Sequence, residues 1–443
     1  MAVDRISPAH RPLGLVGGVR WLAYHFCSLE TCLVLFLYGA HLKAILPALP
    51  VPLPETVLYG ALSIGIGLWV MVREGIYWRG IPIVIAGFLL TGWMVISYGW
   101  TPSRMMAQES LPFVMVINLW AVFVAGCIVA GSRERVLRLF VLLMLLAGLL
   151  SAIGSYIYFL HGDFRFYRGP YGEWHHRTYL AWGNTITTGA AVALALALHA
   201  RWGSAKQLFG AAIFVCCLYF LMVSGARGAL LGTLSAGVVA FVATSPRLRD
   251  GQLMMARAQL LALFLIGIIV VYFTYLVGTD QTPTTINRFL QLFDQADDPL
   301  LRRGANRFDY FAGAYRAWLD APLFGQGLAG FTIVFCGVEQ PGCHPHNIFL
   351  QSLADHGIIG GLLLAAFVLI GLHRYRIAQL HDDPLSVVML MVFATIFVYV
   401  MVATDLPTAH RFFFFVGLLA MRPPAAEADD DAEDDDETVR EAA

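Results

Sequence analysis

Charged side chains are scarce in this chain: they make up 13% of its 443 residues, about half of the roughly 25% found in soluble proteins. Hydrophobic residues make up 58%, against about 45–50% in soluble proteins. This balance excludes a soluble multidomain protein, because so much apolar surface needs lipid around it. A bilayer-spanning helix takes about 20 apolar residues, so the chain has room for roughly ten to thirteen spans.

The amino terminus lacks the features of a cleavable signal peptide. The first apolar stretch follows a segment that contains Arg5, Arg11 and Arg20, and no small-residue cleavage site comes after it. We therefore expect the first span to stay in the protein. The acidic residues, in contrast, are concentrated in AEADDDAEDDDE near the carboxyl terminus, which predicts a disordered, solvated tail.

Cysteines outside the apolar runs are limited to Cys336 and Cys343. Their spacing, CGVEQPGC, allows a small disulfide loop if that side of the membrane is oxidising. Two free thiols are the alternative.

Apolar runs bounded by charge, glycine or proline predict an all-α integral membrane protein with about twelve transmembrane helices. Short loops rich in Arg and Lys, such as GSRERVLR and HRYRIAQLH, define the cytoplasmic side together with both termini. The predicted spans are 26–47, 54–72, 81–99, 111–131, 136–160, 179–199, 208–223, 226–243, 259–278, 347–372, 385–404 and 409–421. The predicted division is a cytoplasmic segment 1–25, helices one to nine over 26–278, a large external loop 279–346, helices ten to twelve over 347–421, and a cytoplasmic tail 422–443.

Two long polar connections, 161–178 and 279–346, fall on the periplasmic or extracellular face in this topology. Residues 306–319 of the second have helical periodicity, with Phe308, Phe311, Tyr315 and Trp318 on one face. The segment FGQGLAGF then predicts a glycine-rich turn that returns the chain to the membrane. Because loops of this size are usually functional, we expect an external site.

The short turn SGARG places Arg227 at a membrane boundary on the same external face. A cation there is costly without a partner, so Arg227 either reaches lipid headgroups or belongs to an anion site. Gly225 and Gly228 favour the anion site, because they let a phosphate approach the backbone at the start of the next helix.

Further arginines lie in the external loops, where basic residues are normally rare. Among them are Arg165, Arg168, Arg177, Arg288, Arg302, Arg303 and Arg307. Arginine clamps phosphate through two parallel hydrogen bonds, so this set indicates an anionic, lipid-borne ligand. We expect two or three of them to bind it and the others to meet headgroups or carboxylates such as Asp309.

The segment HPHNIFLQSLADHGIIG carries the candidate general base. His346 follows Pro345 where the loop becomes a span, and the positive end of the helix favours a neutral imidazole that can accept a proton. A lone histidine at such a boundary is more often structural, but His344, Asn347 and the arginines nearby favour catalysis. The histidines and acids of the loop do not form a recognised metal-ligand spacing, so we expect a site without metal or cofactor.

These residues resemble the O-antigen ligase and polymerase superfamily of bacterial membrane glycosyltransferases. The resemblance covers about 180–372 and rests on SGARG, on the segment from Arg307 through WLDAPLFGQGLAGF, and on HNIFLQSLADHGIIG, in which His346 and a small polar residue precede a GxxG pattern by nine positions.

The resemblance implies a GT-C-like, metal-independent, inverting transferase of the bacterial inner membrane that takes part in lipopolysaccharide biosynthesis. Its donor would be an O-antigen on undecaprenyl diphosphate and its acceptor a sugar hydroxyl of lipid A-core, both in the membrane at the periplasmic face, with no nucleic-acid partner. His346 would be the general base. The diphosphate would be held by Arg227 and a loop arginine, Arg303 or Arg307 by position, with Arg302 beside them; His344, Asn347, Arg168 and Arg177 would support the site.

Three alternatives stay open. An O-antigen polymerase and a protein O-oligosaccharyltransferase would use the same chemistry on other acceptors. A transporter or flippase of an anionic lipid would be expected to place its charged sites near the bilayer midplane, often in two related halves.

Overall fold

The computed structural model describes residues 28–44, 55–161, 178–201, 203–243, 247–249, 252–254, 283–286, 307–375 and 383–422. The predicted segment 1–25, the span at 259–278, residues 162–177 of the first external loop and the tail from 423 onward lie outside the described residues.

Helices dominate the described residues. They are α1 Leu29–Tyr38, α2 Glu55–Glu74, α3 Ile81–Ser97, α4 Arg104–Pro112, α5 Leu119–Val124, α6 Arg133–His161, α7 Thr178–His199, α8 Ala205–Val223, α9 Arg227–Ala243, α10 Arg307–Asp320, α11 Phe331–Cys336, α12 Ile348–Arg374, α13 Pro384–Val400 and α14 His410–Leu418. Short 3-10 helices cover Gly39–Ala44, Trp78–Gly80 and Tyr98–Trp100, and π-helical turns cover Phe113–Asn118 and Ala125–Val129. Two strands, β1 Arg247–Arg249 and β2 Gln252–Met254, form an antiparallel ribbon with Leu248 opposite Leu253.

Helical structure occupies eleven of the twelve predicted apolar segments, and the twelfth, at 259–278, is not described. Seven helical stretches of the described chain are long and apolar enough to cross a membrane, and α1, α9 and α13 are shorter apolar helices. Large apolar side chains such as Phe88, Phe159 and Leu362 are exposed on them, as expected for surfaces that face lipid. The protein is therefore a multi-pass, predominantly helical membrane protein; the ribbon is the departure from all-α structure within the described residues.

Local sequence signals explain where several helices begin. The hydroxyl of Ser28 caps α1 and that of Ser204 caps α8, by accepting from the backbone N–H groups of Thr31 and Gln207. Asp383 caps α13 in the same way and is followed by Pro384 at the first helical position. These caps satisfy N–H groups that lack a partner inside the helix.

Small residues let the helices approach closely, as is typical of membrane bundles. A Cβ atom on Gly189 of α7 would lie 2.3 Å from the Cβ of Ala147 in α6. In the same bundle, α7 packs on α8, α9 packs on α13, and α12 packs on α3.

A network of ion pairs ties the helices together at the end predicted to be cytoplasmic. Glu30 of α1 is fully buried and accepts from Arg135 at 3.3 Å and Arg138 at 3.1 Å, both from α6. Arg133 pairs with both carboxylate oxygens of Asp383, at 2.9 and 2.5 Å. Buried charges are tolerated where such pairing is complete.

The predicted glycine-rich turn, FGQGLAGF at 324–331, docks against a break in α12. At Gly357 the backbone leaves the helix, with φ 67° and ψ −166°. The turn supplies the missing hydrogen bonds: the N–H groups of Gln326 and Gly327 donate to the carbonyls of Ala354 and Asp355, at 2.9 and 2.7 Å. A helix break inside a membrane protein needs such partners, because lipid offers none.

We expect Gly357→Ala to destabilise the fold strongly. The φ and ψ of Gly357 lie in a region that is essentially restricted to glycine, and a Cβ atom there would stand 2.2 Å from the carbonyl oxygen of Leu323. The melting temperature, measured by size-exclusion chromatography after heating, should fall by at least about 5 °C, the effect of one to two kcal/mol or more. The matched control is Gly65→Ala in α2, where a Cβ atom meets nothing within 4 Å. Equal melting temperatures for Gly357→Ala and Gly65→Ala would contradict the docking of the turn against the break in α12.

Candidate functional site

A cavity of about 550 Å³ lies at the end of the bundle that holds the predicted external residues. The end of α1, the start of α7, the segment before α12, the end of α13 and the start of α14 together form its wall. Its polar and charged lining residues are His41, Asn184, His344, His346, Tyr399, Thr404, Asp405, Thr408, His410 and Arg411. The cavity therefore joins segments that lie up to several hundred positions apart in sequence.

His346 lies on the loop side of this cavity, two residues before α12 begins. Its backbone has a φ of 57°, which is unusual for a residue other than glycine. The imidazole packs edge-on against Tyr310 of α10, with ring centres 5.5 Å apart, and next to His344 at 4.2 Å. The structure thus brings His344 and His346 together at one cavity wall, as the sequence predicts.

Asn347 and His356 of the same motif have structural surroundings. The side-chain oxygen of Asn347 caps α12 by accepting from the N–H groups of Phe349 and Leu350, both at 3.0 Å. His356 is buried, and its Nδ1 hydrogen-bonds with the hydroxyl of Ser97 at 3.0 Å. Neither residue is among those that line the cavity; the supporting role predicted for Asn347 stays a prediction.

The structure joins Cys336 and Cys343 in a disulfide, with their Cα atoms 6.6 Å apart. Cys336 ends α11, whereas Cys343 is buried against Ala314 and Phe331. Gly342 and His344, the two neighbours of Cys343, line the cavity. The disulfide therefore anchors the segment that carries His346.

Breaking this disulfide should lower activity without unfolding the membrane helices. We expect Cys336→Ser with Cys343→Ser to lose about 10–100-fold in kcat, because small misplacements of a catalytic group have effects of this size. Dithiothreitol should lower wild-type activity to the level of the double variant and leave the double variant unchanged. Full activity of the double variant would exclude a positioning role for the disulfide.

The SGARG turn has the conformation needed to start α9 at Arg227. Gly225 has a φ of 84°, and its N–H donates to the hydroxyl of Thr285 at 2.8 Å. That hydroxyl donates in turn to the carbonyl of Leu221 at 2.6 Å. Thr285 thus fixes the turn from the large loop, a role that its position in a polar stretch, TPTTIN, does not reveal.

Arg227 and Arg307 are not among the residues that line the cavity, but their helices reach its wall. Arg227 is half-buried, and a Cβ atom on its neighbour Gly228 would stand 3.8 Å from the Tyr399 ring, which lines the cavity. Arg307 begins α10, one turn before Tyr310, whose ring packs against His346. The other predicted arginines of the site, Arg168, Arg177, Arg302 and Arg303, lie outside the described residues.

Sequence reasoning missed the part of the cavity formed by α1 and α14. Arg411 donates from Nε to the carbonyl of Leu37 at 2.8 Å, and from a terminal nitrogen to His41 Nε2 at 2.8 Å. Because His41 Nε2 accepts, its Nδ1 carries the proton and donates to the hydroxyl of Thr185 at 2.6 Å. One signal was present: like Arg227, Arg411 is a cation at the predicted external end of an apolar span.

Asp405 is the carboxylate of the cavity wall. It accepts a hydrogen bond from the side-chain amide nitrogen of Gln351 at 2.5 Å. The side-chain oxygen of Gln351, Oε1, accepts in turn from the Leu406 N–H at 2.8 Å. Burial raises the pKa of Asp405 to about 6, although hydrogen bonds from Gln351 and Thr408 oppose the rise. At neutral pH the Asp405 carboxylate is therefore charged, and the burial of this charge lowers the stability of the folded protein.

We expect Asp405→Asn to stabilise the protein above pH 6. The folded state holds the Asp405 proton up to about pH 6, whereas an unfolded aspartate releases it near pH 4. The contribution of Asp405 to stability therefore falls as the pH rises from about 4 to about 6. At pH 8 the variant should melt about 2–4 °C higher than wild type, with a weaker dependence on pH between 4 and 6. Asp309→Asn, on the exposed side of α10, is the control; a lower melting temperature for Asp405→Asn at pH 8 would contradict this account.

The fold and the cavity define a multi-pass membrane protein with a histidine- and arginine-bearing cavity at one end of its helix bundle. Residues 212–365, about a third of the chain, match the family model described as O-antigen ligase, and this match supports membership of the O-antigen ligase and polymerase family. The matched residues include Arg227, Arg307 and His346 and exclude His41, Asp405 and Arg411. None of the curated proteins matches this chain.

Proposed function

We propose that this protein is an O-antigen ligase, which transfers O-antigen from undecaprenyl diphosphate to a sugar hydroxyl of lipid A-core. In this proposal the chain lies in the bacterial inner membrane with both termini in the cytoplasm, and the cavity faces the periplasm. The observation that carries the proposal is the cavity itself, which His346 and Tyr399 line. The start of α9 at Arg227 and Gly228 packs beside Tyr399, and Arg307 begins the helix whose Tyr310 packs against His346.

The proposed reaction needs one base and strong stabilisation of negative charge. His346 accepts the proton of the acceptor hydroxyl as the hydroxyl oxygen forms its bond to the anomeric carbon of the donor. The bond between that carbon and the diphosphate oxygen breaks, and its electron pair leaves with undecaprenyl diphosphate. Attack from the face opposite the leaving group inverts the configuration at this carbon.

Arginine suits the stabilising role in this reaction. The guanidinium groups of Arg227 and Arg307 remain charged at any relevant pH and match two phosphate oxygens at once. Charge grows on the diphosphate in the transition state, so preorganised cations there lower the barrier. A site at the membrane boundary also lets the polyprenyl chain remain in lipid while its diphosphate enters the cavity.

Lipid analysis of a bacterial strain that lacks this protein separates the candidate functions. With the wild-type gene restored, a ligase yields glycan attached to lipid A-core. With His346→Ala, the same glycan should accumulate on its carrier at the outer face of the inner membrane. Short carrier-linked glycans in place of long ones would indicate a polymerase, and carrier-linked glycan retained at the cytoplasmic face would indicate a flippase; either result would overturn the ligase proposal.

A further inference from the structure

Arg411 is a cation that lacks a carboxylate partner in the part of the chain that the structure describes. Its contacts are the carbonyl of Leu37, the ring nitrogen of His41 and the face of Tyr38, whose ring centre lies 4.8 Å from the guanidinium carbon. All three are neutral groups. The arginines at the opposite end of the bundle do have carboxylate partners: Arg133, Arg135 and Arg138 each form an ion pair with an acidic side chain.

A half-buried arginine at a membrane boundary is costly without a compensating charge. The neutral contacts of Arg411 orient its guanidinium but do not neutralise it. Asp405 lines the same cavity as Arg411 but hydrogen-bonds with Gln351. An anion inside the cavity would therefore supply the charge that the contacts of Arg411 lack. Four histidines, His41, His344, His346 and His410, line the same space and add hydrogen-bonding groups.

Tyr399 lines the cavity together with Arg411. The start of α9 at Arg227 and Gly228 packs beside the Tyr399 ring, and Arg307 begins α10 one turn before Tyr310, whose ring packs against His346. The three arginines therefore belong to helices that each reach the cavity wall, although these helices, α9, α10 and α14, are far apart in sequence. One ligand with more than one phosphate group fits such an arrangement.

We propose that Arg411, oriented by His41 and Leu37, binds the phosphate of the donor that is attached to the polyprenyl chain. This inference rests on the proposed function, since it assigns a further residue to the same donor. Arg411 is anchored to the end of α1 and lies on the helix side of the cavity, whereas His346 lies on the loop side. The lipid-linked phosphate enters from the helix side, which leaves the sugar-linked phosphate to Arg227 and Arg307.

The test is binding of two carriers, undecaprenyl diphosphate and undecaprenyl phosphate, to purified full-length protein in nanodiscs. Arg411→Gln should raise the Kd for the diphosphate by about 10–100-fold, the effect of losing a charge-assisted hydrogen bond. Arg411→Lys should give an intermediate value, because lysine keeps the charge but loses the two-pronged geometry. His41→Gln should weaken binding less than Arg411→Gln, since His41 acts by orienting the guanidinium.

Arg104→Gln is the matched control. Arg104 also donates to a backbone carbonyl, that of Tyr98, and lies over the Tyr98 ring at 5.1 Å, but it is exposed and does not line the cavity. Its replacement should leave both Kd values unchanged.

The outcomes separate this inference from the proposed function. Wild-type affinity for the diphosphate in folded Arg411→Gln would overturn the inference, and the ligase proposal would stand if the wild type still transfers glycan. Failure of the wild type to bind undecaprenyl diphosphate would overturn both. If Arg411→Gln does not fold, Arg411→Lys decides, because an unchanged preference for diphosphate over monophosphate in that variant would exclude the assigned contact.

Discussion

Replacement of His346 with alanine is expected to lower kcat for glycan transfer by about 10²–10⁴-fold, the usual contribution of a general base. The side chain is placed for this role at the cavity wall, with Tyr310 packed against its ring and the disulfide-bonded loop behind it. Binding of undecaprenyl diphosphate should change little, because the proposal assigns the phosphates to arginines. The measurement is transfer with purified protein at saturating donor and acceptor.

His344 and His199 provide the controls for this prediction. His344 lines the same cavity, so His344→Ala tests whether proximity alone is sufficient; we expect it to retain more activity than His346→Ala. His199 is exposed at the opposite end of α7 and contacts its own helix, so His199→Ala should match wild type. A large loss in His344→Ala with activity preserved in His346→Ala would transfer the role of base to His344.

Arg227→Ala is expected to lower kcat/KM by about 10²–10³-fold, as happens when one preorganised stabilising group is removed from a transition state. Arg227→Lys should restore only part of this loss, because a lysine cannot form two parallel hydrogen bonds to phosphate. The positions of Gly225 and Thr285 should keep the turn intact in both variants, since their hydrogen bonds involve backbone and hydroxyl groups.

Arg316→Ala is the control for this second prediction. Arg316 is an exposed arginine of α10, the helix that begins at Arg307, and it should be dispensable. Arg307→Ala should resemble Arg227→Ala if both hold the diphosphate. Equal activity of Arg227→Ala and Arg316→Ala would remove Arg227 from the site.

Hydropathy predicted the helices well because membrane helices depend on long apolar runs that are visible in sequence. The same signal failed at the end of α13, which stops at Val400 rather than at 404. The residues beyond it turn towards Gln351, whose side chain holds both Asp405 and the Leu406 N–H. A tertiary contact of this kind leaves no mark on local hydropathy.

The candidate site was predictable where its residues form short motifs. His346 and Arg227 lie at boundaries between polar and apolar sequence. A charged residue or an unusual turn at such a boundary is energetically costly, so it can be recognised from the sequence as a candidate site. Arg411 and His41 were missed because their meaning depends on helix packing: His41 follows α1 and Arg411 lies in the first turn of α14, and only the fold brings them together. Asn347 shows the reverse case, since a residue of the motif serves as a helix cap.

Glycan transfer by the purified wild-type protein from undecaprenyl diphosphate to lipid A-core, in an excess of metal chelator, tests the proposed ligase most directly. Glycan should appear on lipid A-core in chelator, with undecaprenyl diphosphate released, and His346→Ala and Arg227→Ala should lose most of this transfer while remaining folded. Loss of wild-type transfer on chelation, with recovery when a divalent cation is restored, would contradict a site that works with histidine and arginine alone.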